Sequence, residues 1–173
     1  MPTLTPAQLL DILEHLYQQV DSHAAALAQP LDLECRAGCT PCCVDDLRVG
    51  PAEASFIRAH AAPILAATPH PPGACAMLDD QGHCRIYPWR PYVCRTQGLP
   101  LRWLEEEDDT TCHEARDICP LNAPTVDLLN LPATACWPIG PMEQKLAHLD
   151  RSLDDNPRER TALRDLFTPT STT

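Results

Sequence analysis

The stretch Glu34-Cys-Arg-Ala-Gly-Cys-Thr-Pro-Cys-Cys-Val44 dominates the expected fold of this chain, because it places four thiols within nine residues. The pattern is C-x3-C-x2-C-C, and its members are Cys35, Cys39, Cys42 and Cys43. Gly38 and Pro41 lie between them and indicate turns. Zinc binds four thiolates at tetrahedral geometry, and an iron–sulfur cluster binds them around its irons. Thiols gathered by turns therefore predict a metal centre.

Six further cysteines follow, and three of them extend the predicted centre. Cys75, Cys84 and Cys94 are nine and ten residues apart, which is too wide for a self-contained knuckle. These spacings predict ligands that separate loops bring to a centre begun at 35–43. A last group consists of Cys112, Cys119 and Cys136. The count permits one four-thiolate centre or two. If the backbone is extended at the vicinal pair in the cluster, its two side chains point apart, and they either serve different centres or leave one to ligate while the other packs.

Charged and imidazole side chains accompany the second group. Arg85, Arg90 and Arg95 recur at intervals of five residues, and their guanidinium groups would offset thiolate charge and donate to sulfur. Ordinary surface arginines are equally compatible with this spacing. His83 and His113 each adjoin a cysteine and are candidate substitute ligands, although the surplus of thiols favours a bystander role.

The ten cysteines also fit a secreted disulfide framework, since their number is even. The first residues, Met-Pro-Thr-Leu-Thr-Pro-Ala-Gln, contain no basic or long apolar segment, and Asp11 and Glu14 soon follow. We therefore expect no signal peptide. This predicts a cytoplasmic protein whose reduced thiols are available for metal.

The composition predicts a small globular protein with a thin core. A length of 173 residues favours one domain, 1–173, and 19 prolines with 5% aromatic residues leave few large side chains to bury. A bound metal would supply cohesion. The net charge of −11 argues against nucleic acid as a partner. No segment approaches the roughly 18 apolar residues of a membrane helix.

Helices are predicted towards both ends of the chain. Four segments share a start signal, a cap residue followed by proline, any residue, and then Gln or Glu, and they begin at Thr5, Gly50, Gly140 and Asn156. Apolar periodicity predicts an N-terminal helix over about 6–28 and C-terminal helices over about 141–167. A further helix should follow Pro51 and stop or kink at Pro63.

The cysteine-cluster core, about 33–137, is predicted to be rich in loops. Periodicity is lost after Thr68, the residues at 79–82 indicate a turn, and the acidic run at 105–109 is interpreted as a solvated loop. The predicted fold is mainly α: a small cysteine-rich, metal-stapled domain whose helices frame a loop-rich centre with little or no β.

The chain resembles the YkgJ-type cysteine cluster family over about 33–120. The resemblance rests on the opening cluster, on Gly50-Pro-Ala-Glu-Ala54, and on Gly82-His-Cys-Arg-Ile-Tyr-Pro-x-Arg-Pro-x-x-Cys-Arg95. That family is described as a zinc- or iron-chelating domain, which implies Zn²⁺ or an iron–sulfur cluster as the cofactor. By position, the resemblance implies metal ligands at Cys35, Cys39, Cys42, Cys43, Cys75, Cys84, Cys94 and, as an eighth, Cys119.

These observations predict a metal-binding protein that holds zinc or an iron–sulfur cluster through a composite cysteine site. Its role would be electron transfer, metal handling or service to a protein partner such as an enzyme. The alternatives are a purely structural zinc module and an accessory to protein methylation, since flagellin lysine N-methylases have a similar cluster.

An enzymatic role has less support in the sequence. The C-x3-C-x2-C spacing matches radical S-adenosylmethionine enzymes, but the alternating strand–helix pattern of their barrel is missing and a fourth cysteine follows. No Ser–His–Asp arrangement, carboxylate pair or glycine-rich phosphate loop is recognisable. Catalytic residues therefore stay unknown, and we do not expect the chain to be an enzyme by itself.

Overall fold

The computed structural model of the protein describes residues 4–106, 111–153 and 159–167. It is 43% helical and 13% strand, with two small sheets, so the fold is mixed α/β. The prediction of a mainly α fold with little or no β was therefore wrong. The helices are α1 (Pro6–Ala28), α2 (Pro51–Leu65), α3 (Tyr92–Thr96) and α4 (Pro141–Leu153), and the strands are β1 (Arg48–Val49), β2 (Leu101–Glu106), β3 (Cys112–Asp117), β4 (Trp137–Pro138) and β5 (Thr161–Ala162). Short 3-10 helices occupy Tyr87–Trp89, Ala133–Ala135 and Leu163–Leu166.

Helix α1 occupies the predicted range, and its first turn explains where it begins. The backbone N–H of Thr5 donates to Oε1 of Gln8 (3.0 Å), and that of Gln8 donates to Oγ1 of Thr5 (3.3 Å), which is a capping box. Its buried apolar residues recur at helical spacing and are Leu9, Leu13, Tyr17, Val20, Ala24 and Leu27. No described helix, this 23-residue one included, is long and apolar enough to cross a membrane.

The described residues form two compact units. Unit 1 takes in the described parts of Met1–Leu16, Arg36–Pro91 and Leu146–Thr173, and unit 2 those of Tyr17–Cys35 and Tyr92–Lys145. Each unit holds five of the ten cysteines. The boundary between the two units lies inside the opening cluster, between Cys35 and Arg36.

The core of unit 1 forms around α2 and the loop that follows it. Its buried residues are Val49, Ala54, Ile57, Ala61, Leu65, Cys75, Ala76, Met77, Leu78, Ile86, Leu163, Leu166 and Phe167. Helix α2 continues past Pro63 but kinks at Ala61 (φ −111°, ψ 18°), because proline clashes with the preceding turn. Strands β1 and β5 pair antiparallel and bring the last 3-10 helix onto this core. The helix start predicted at Asn156 lies outside the described residues.

Asp150 of α4 caps the N-terminus of α2. Its Oδ1 accepts a hydrogen bond from the backbone N–H of Ala52 (2.8 Å). Gly50, at the N-cap position, has no side chain for this purpose, and a Cβ there would overlap the Asp150 carboxylate. Burial raises the pKa of Asp150 above its usual 3.8, and the hydrogen bond from Ala52 opposes that rise. A carboxylate from another helix therefore replaces the missing local cap.

Asp150→Ala is expected to lower the free energy of unfolding by about 1–2 kcal/mol, because α2 loses its cap and a buried amide loses its acceptor. Urea denaturation followed by circular dichroism measures this difference. Asp46→Ala removes an exposed carboxylate from the same unit and should change stability by less than about 0.5 kcal/mol. An equal loss in the two variants would contradict the capping role.

Unit 2 contains a three-stranded sheet in the order β3-β2-β4. β2 and β3 form an antiparallel hairpin, and β4 pairs parallel to β2. The acidic run interpreted as a loop begins inside β2, where Glu105 and Glu106 are exposed strand residues, and 107–109 lie outside the described residues. The sequence of this hairpin shows little of the apolar alternation that predicts strands. Charged pairs at diagonal positions, such as Arg102–Glu114 (3.2 Å), hold its strands together instead.

Helices α1 and α3 contact each other in unit 2 through a buried guanidinium group. The Arg95 side chain is 2% exposed, lies 4.0 Å from the ring centroid of Tyr17, and donates to the carboxylate of Asp21 (2.5 Å). On the same helix α3, the hydroxyl of Tyr92 accepts a hydrogen bond from Nε1 of Trp137 (2.8 Å). α3 is therefore attached both to α1 and to the end of β4.

Candidate metal centre

The backbone of the C-x3-C-x2-C-C stretch turns twice, as its glycine and proline predicted. The N–H of Cys39 donates to the carbonyl of Arg36 (3.0 Å), and the N–H of Cys43 donates to that of Thr40 (2.8 Å). Gly38 has a φ of 82°, a conformation that a side chain disfavours. The two turns place Cys39, Cys42 and Cys43, the cysteines of this stretch that belong to unit 1, in one loop.

The side chains of Cys42 and Cys43 are in contact. The Cys43 thiol donates a hydrogen bond to the sulfur of Cys42 and lowers the pKa of Cys42 from 9.0 to about 6, although burial opposes this change. This hydrogen bond favours the thiolate form of Cys42, which is the form that binds metals. The condition under which these side chains would point apart, an extended backbone, is not met, because the backbone is a turn here.

Cys75 and Cys84 flank a small turn that contacts this loop. The backbone N–H of Cys75 donates to the carbonyl of Cys43 (2.8 Å). Leu78 and Cys84 form an antiparallel bridge, and the carboxylate of Asp79 accepts two backbone hydrogen bonds of 2.8 Å that close the predicted turn. Cys75 belongs to the core of unit 1, and Cys43 and Cys84 pack against it. The thiols therefore lie where the loop meets the core.

Burial raises the pKa of both Cys75 and Cys84 above the usual 9.0. Negative charge nearby raises both values further. Asp45 and Cys42 act on Cys75, and Cys75 acts on Cys84 once it has lost its own proton. A metal ion bound here would displace these two protons, and its positive charge would relieve the repulsion among the sulfurs.

Two of the three predicted arginines supply positive charge near Cys84. Arg90 and Arg85 both oppose the rise in its pKa. Arg85 also donates to three backbone carbonyls, of which that of Ala76 is the nearest (2.8 Å), so it holds the loop around the thiols. Arg95 lies in unit 2, where Asp21 is its ion-pair partner.

Arg164 is a further arginine beside the thiols, and sequence reasoning missed it. Its Nε donates to Asp45 (2.7 Å), and its Nη1 donates to the carbonyl of His70 (2.7 Å). Its charge lowers the pKa of Cys75 and so opposes the effect of burial. Nothing in the sequence near position 164 indicates this role, because the contacts span 90 residues or more.

The first cysteine of the cluster belongs to unit 2, where a buried amide holds it. Nδ2 of Asn122, a residue that is 0% exposed, donates to the carbonyl of Gly98 (2.8 Å) and contacts Sγ of Cys35 (3.5 Å). Its Oδ1 accepts from the backbone N–H of Glu34 (2.8 Å). Gly98 has a φ of 91°, and a Cβ at this position would overlap the Cys35 sulfur. Sequence reasoning did not identify Asn122, which has no motif around it.

Two further predicted ligands lie close in sequence to the groups that Asn122 contacts. The carbonyl of Cys119 accepts the backbone N–H of Asn122 (2.8 Å), and Cys94, on α3, is four residues before Gly98. Both cysteines are half-buried. Unit 2 therefore brings Cys35 and the chain segment of Cys119 to one asparagine.

The remaining cysteines differ in exposure. Cys112 is exposed at the start of β3, and Cys136 is buried directly before β4. His83 and His113 face carboxylates, Asp79 at 3.6 Å and Glu105 at 3.5 Å respectively. All ten cysteines lie in the described residues, and none is in a disulfide.

Four of the predicted ligands thus lie on neighbouring segments of unit 1, and they are Cys42, Cys43, Cys75 and Cys84. Within the three described ranges, no three His, Cys, Asp or Glu side chains already have a geometry that could hold a metal ion. Metal binding would have to draw the thiols closer together. The donor set itself fits zinc or an iron–sulfur cluster, since both accept four thiolates.

Comparison with protein families gives one match. The family model CxxCxxCC, described as a putative zinc- or iron-chelating domain, matches residues 34–120, which is half of the chain. The matched range contains nine of the ten cysteines and leaves out Cys136. No curated protein and no solved structure matches the chain.

Proposed function

Because the chain belongs to the CxxCxxCC family of zinc- or iron-chelating domains, we propose that its cysteine thiolates hold either Zn²⁺ or an iron–sulfur cluster. The observation that supports this most strongly is the group of four thiols in unit 1. Cys42 and Cys43 are in contact, the backbone N–H of Cys75 donates to the Cys43 carbonyl (2.8 Å), and Cys43 and Cys84 pack against the core that contains Cys75. Cys39 is on the same loop and is a fifth candidate ligand.

A metal at these thiols would join the loop of unit 1 to its core. Cys75 is one of the core residues, whereas Cys42 is on the turn-rich loop, next to Cys43, which packs against the core. Binding energy at such a junction contributes to folding, because the site does not exist in the unfolded chain. This supports the structural-module alternative at least for the unit 1 thiols.

The roles beyond metal binding are proposals of the same kind. We place the protein in the cytoplasm, where its ten cysteines stay reduced, and assign it to electron transfer, metal handling or service to a partner enzyme. Cys35, Cys94 and Cys119 are the proposed ligands contributed by unit 2. The contact between Nδ2 of Asn122 and the Cys35 sulfur (3.5 Å) supports a binding role for Cys35, because an N–H group directed at sulfur is typical of thiolate centres.

Anaerobic purification, followed by a visible spectrum and assays of iron, sulfide and zinc, tests the metal. A brown sample with broad visible absorption and equal amounts of iron and sulfide would identify a cluster. A colourless sample that contains zinc, prepared under the same conditions, would identify a zinc site. A protein that binds neither, even after incubation with Zn²⁺ or after anaerobic reconstitution with iron and sulfide, would contradict the proposed function.

A further inference from the structure

An open groove runs along unit 2 between the sheet and the start of α4. Its volume is about 640 Å³, and it is lined by Leu101, Trp103, Leu104, Asp117, Ile139, Gly140, Pro141 and Gln144. No cysteine lines it, so it is separate from the thiols discussed above. Six of its eight lining residues are apolar or glycine.

The groove exposes apolar side chains that contribute little to the core. Ile139 is 38% exposed, and Leu101 and Trp103, which share one face of β2, are half-buried in the lining. A contiguous apolar surface with a tryptophan is typical of protein interaction sites, where aromatic residues supply much of the binding energy.

Acidic side chains lie around the groove, whereas Arg102 and Arg116, the arginines nearest to its lining, alternate onto the opposite face of the sheet. Asp117 is part of the lining, Glu105 lies next to Leu104 at the exposed end of β2, and Glu143 follows Pro141 on α4. Lys145 is the one basic residue next to the lining in sequence on the α4 side. The apolar surface therefore has an acidic rim.

Unit 2 as a whole has the same bias. Counted over its sequence, it holds twelve of the 24 acidic residues and four of the 13 basic residues, which gives a formal charge of −8 out of the total of −11. Such a field attracts cationic segments and repels a second copy of the same surface. Nucleic acid would be repelled for the same reason.

Strand addition at the sheet edge is a less favourable mode of binding. Strand β3 lies at an edge of the sheet, but three of its six residues are charged, and they are Glu114, Arg116 and Asp117. Charged edge strands oppose pairing with another chain. A partner is therefore expected to lie in the groove and not along the edge.

We propose that this groove binds a cationic protein segment in which one or two large apolar side chains are flanked by Lys or Arg. The apolar residues enter between Trp103 and Ile139, and the basic residues face Asp117 and Glu105. This inference does not depend on the metal, so it stands or falls separately from the proposed function.

Fluorescence anisotropy with labelled synthetic peptides tests the proposal on the full chain as purified. The probe is Lys-Lys-Leu-Phe-Lys-Lys, and the comparison peptides are Glu-Glu-Leu-Phe-Glu-Glu and Lys-Lys-Ser-Ser-Lys-Lys. The probe should bind about tenfold more tightly than either comparison peptide, because only it satisfies both the apolar surface and the acidic rim.

Matched variants separate groove binding from general charge attraction. Ile139→Ser should weaken probe binding about tenfold, whereas Leu129→Ser, which removes an 89% exposed apolar side chain elsewhere in unit 2, should leave it unchanged. Asp117→Asn should weaken binding about threefold and reduce its dependence on salt.

Three results would overturn the proposal. One is equal affinity for the probe and the Ser-containing peptide, and another is equal weakening by Ile139→Ser and Leu129→Ser. The third is a wild-type dimer in sedimentation experiments that Ile139→Ser converts to monomer, since the groove would then bind a second copy of the chain. The variants keep the fold if their circular dichroism and melting temperatures match the wild type.

Discussion

Cys75→Ser and Cys84→Ser are each expected to abolish stoichiometric metal binding and to lower the free energy of unfolding of the metal-loaded protein by about 4 kcal/mol. Both thiols lie at the junction of loop and core in unit 1, so losing either one removes a ligand and the connection that the metal would provide. Metal analysis and denaturant unfolding of anaerobically prepared protein measure the two effects.

Cys112→Ser is the matched control, because Cys112 is exposed and is not among the predicted ligands. It should retain the wild-type metal content and stability within about 0.5 kcal/mol. Unfolding of metal-free samples supplies a second comparison. In metal-free protein, Cys75→Ser should lower the free energy of unfolding only by the smaller amount that burying a hydroxyl costs, since no metal is lost.

A different outcome would show that the assignment is wrong. If Cys75→Ser and Cys84→Ser kept their metal, the ligands of unit 1 would have to be sought elsewhere. If they lost stability equally with and without metal, the two cysteines would be packing residues only. Either result would leave the family membership intact and would remove the thiol group of unit 1 as its metal site.

The helix ends could be predicted from the sequence because their signals are local. The Thr5–Gln8 pair forms the expected reciprocal bonds, and Glu143 accepts the backbone N–H of Gly140 (2.6 Å). Each signal acts within one turn, so no knowledge of distant residues is needed. The turns at the cysteine cluster followed from Gly38 for the same reason.

The hairpin could not be predicted with equal ease, because charged pairs replace the usual alternation of apolar residues. Its outer strand consists of Cys-His-Glu-Ala-Arg-Asp. Four of these six residues are exposed and two are half-buried. The Arg116 guanidinium group donates hydrogen bonds to the carbonyls of Leu128 and Leu131, which lie in a loop whose sequence has no regular pattern. Such contacts leave no periodic signal.

The sequence could show which cysteines are candidate ligands, but it could not show which of them the fold places in the same unit. The sequence placed Cys35 with Cys39, Cys42 and Cys43, whereas the fold assigns Cys35 to the other unit. That difference depends on Asn122, which is 88 residues from its partner Glu34 along the chain. The spacing of the cysteines shows how many residues separate them along the chain. It does not show which buried polar group contacts each thiol.

Asn122→Ala is expected to lower the free energy of unfolding by about 3 kcal/mol, the second-largest effect we predict. The substitution removes the donor to the Gly98 carbonyl and the acceptor for the Glu34 amide, and it opens a cavity at a fully buried position. Asn130→Ala, at an exposed asparagine in the same unit, should cost less than about 0.5 kcal/mol. Thermal and urea unfolding of both variants measure the difference.

Asn122→Asp separates the loss of the donor from the loss of volume. An aspartate fills the same space and still accepts the Glu34 amide, but its second oxygen would face the Gly98 carbonyl and the Cys35 sulfur without a hydrogen to donate. We therefore expect Asp to destabilise about as much as Ala at neutral pH and to recover part of the loss in acid, where the carboxyl becomes a donor. Wild-type stability of Asn122→Asp at neutral pH would show that the N–H group does not hold Cys35 in place.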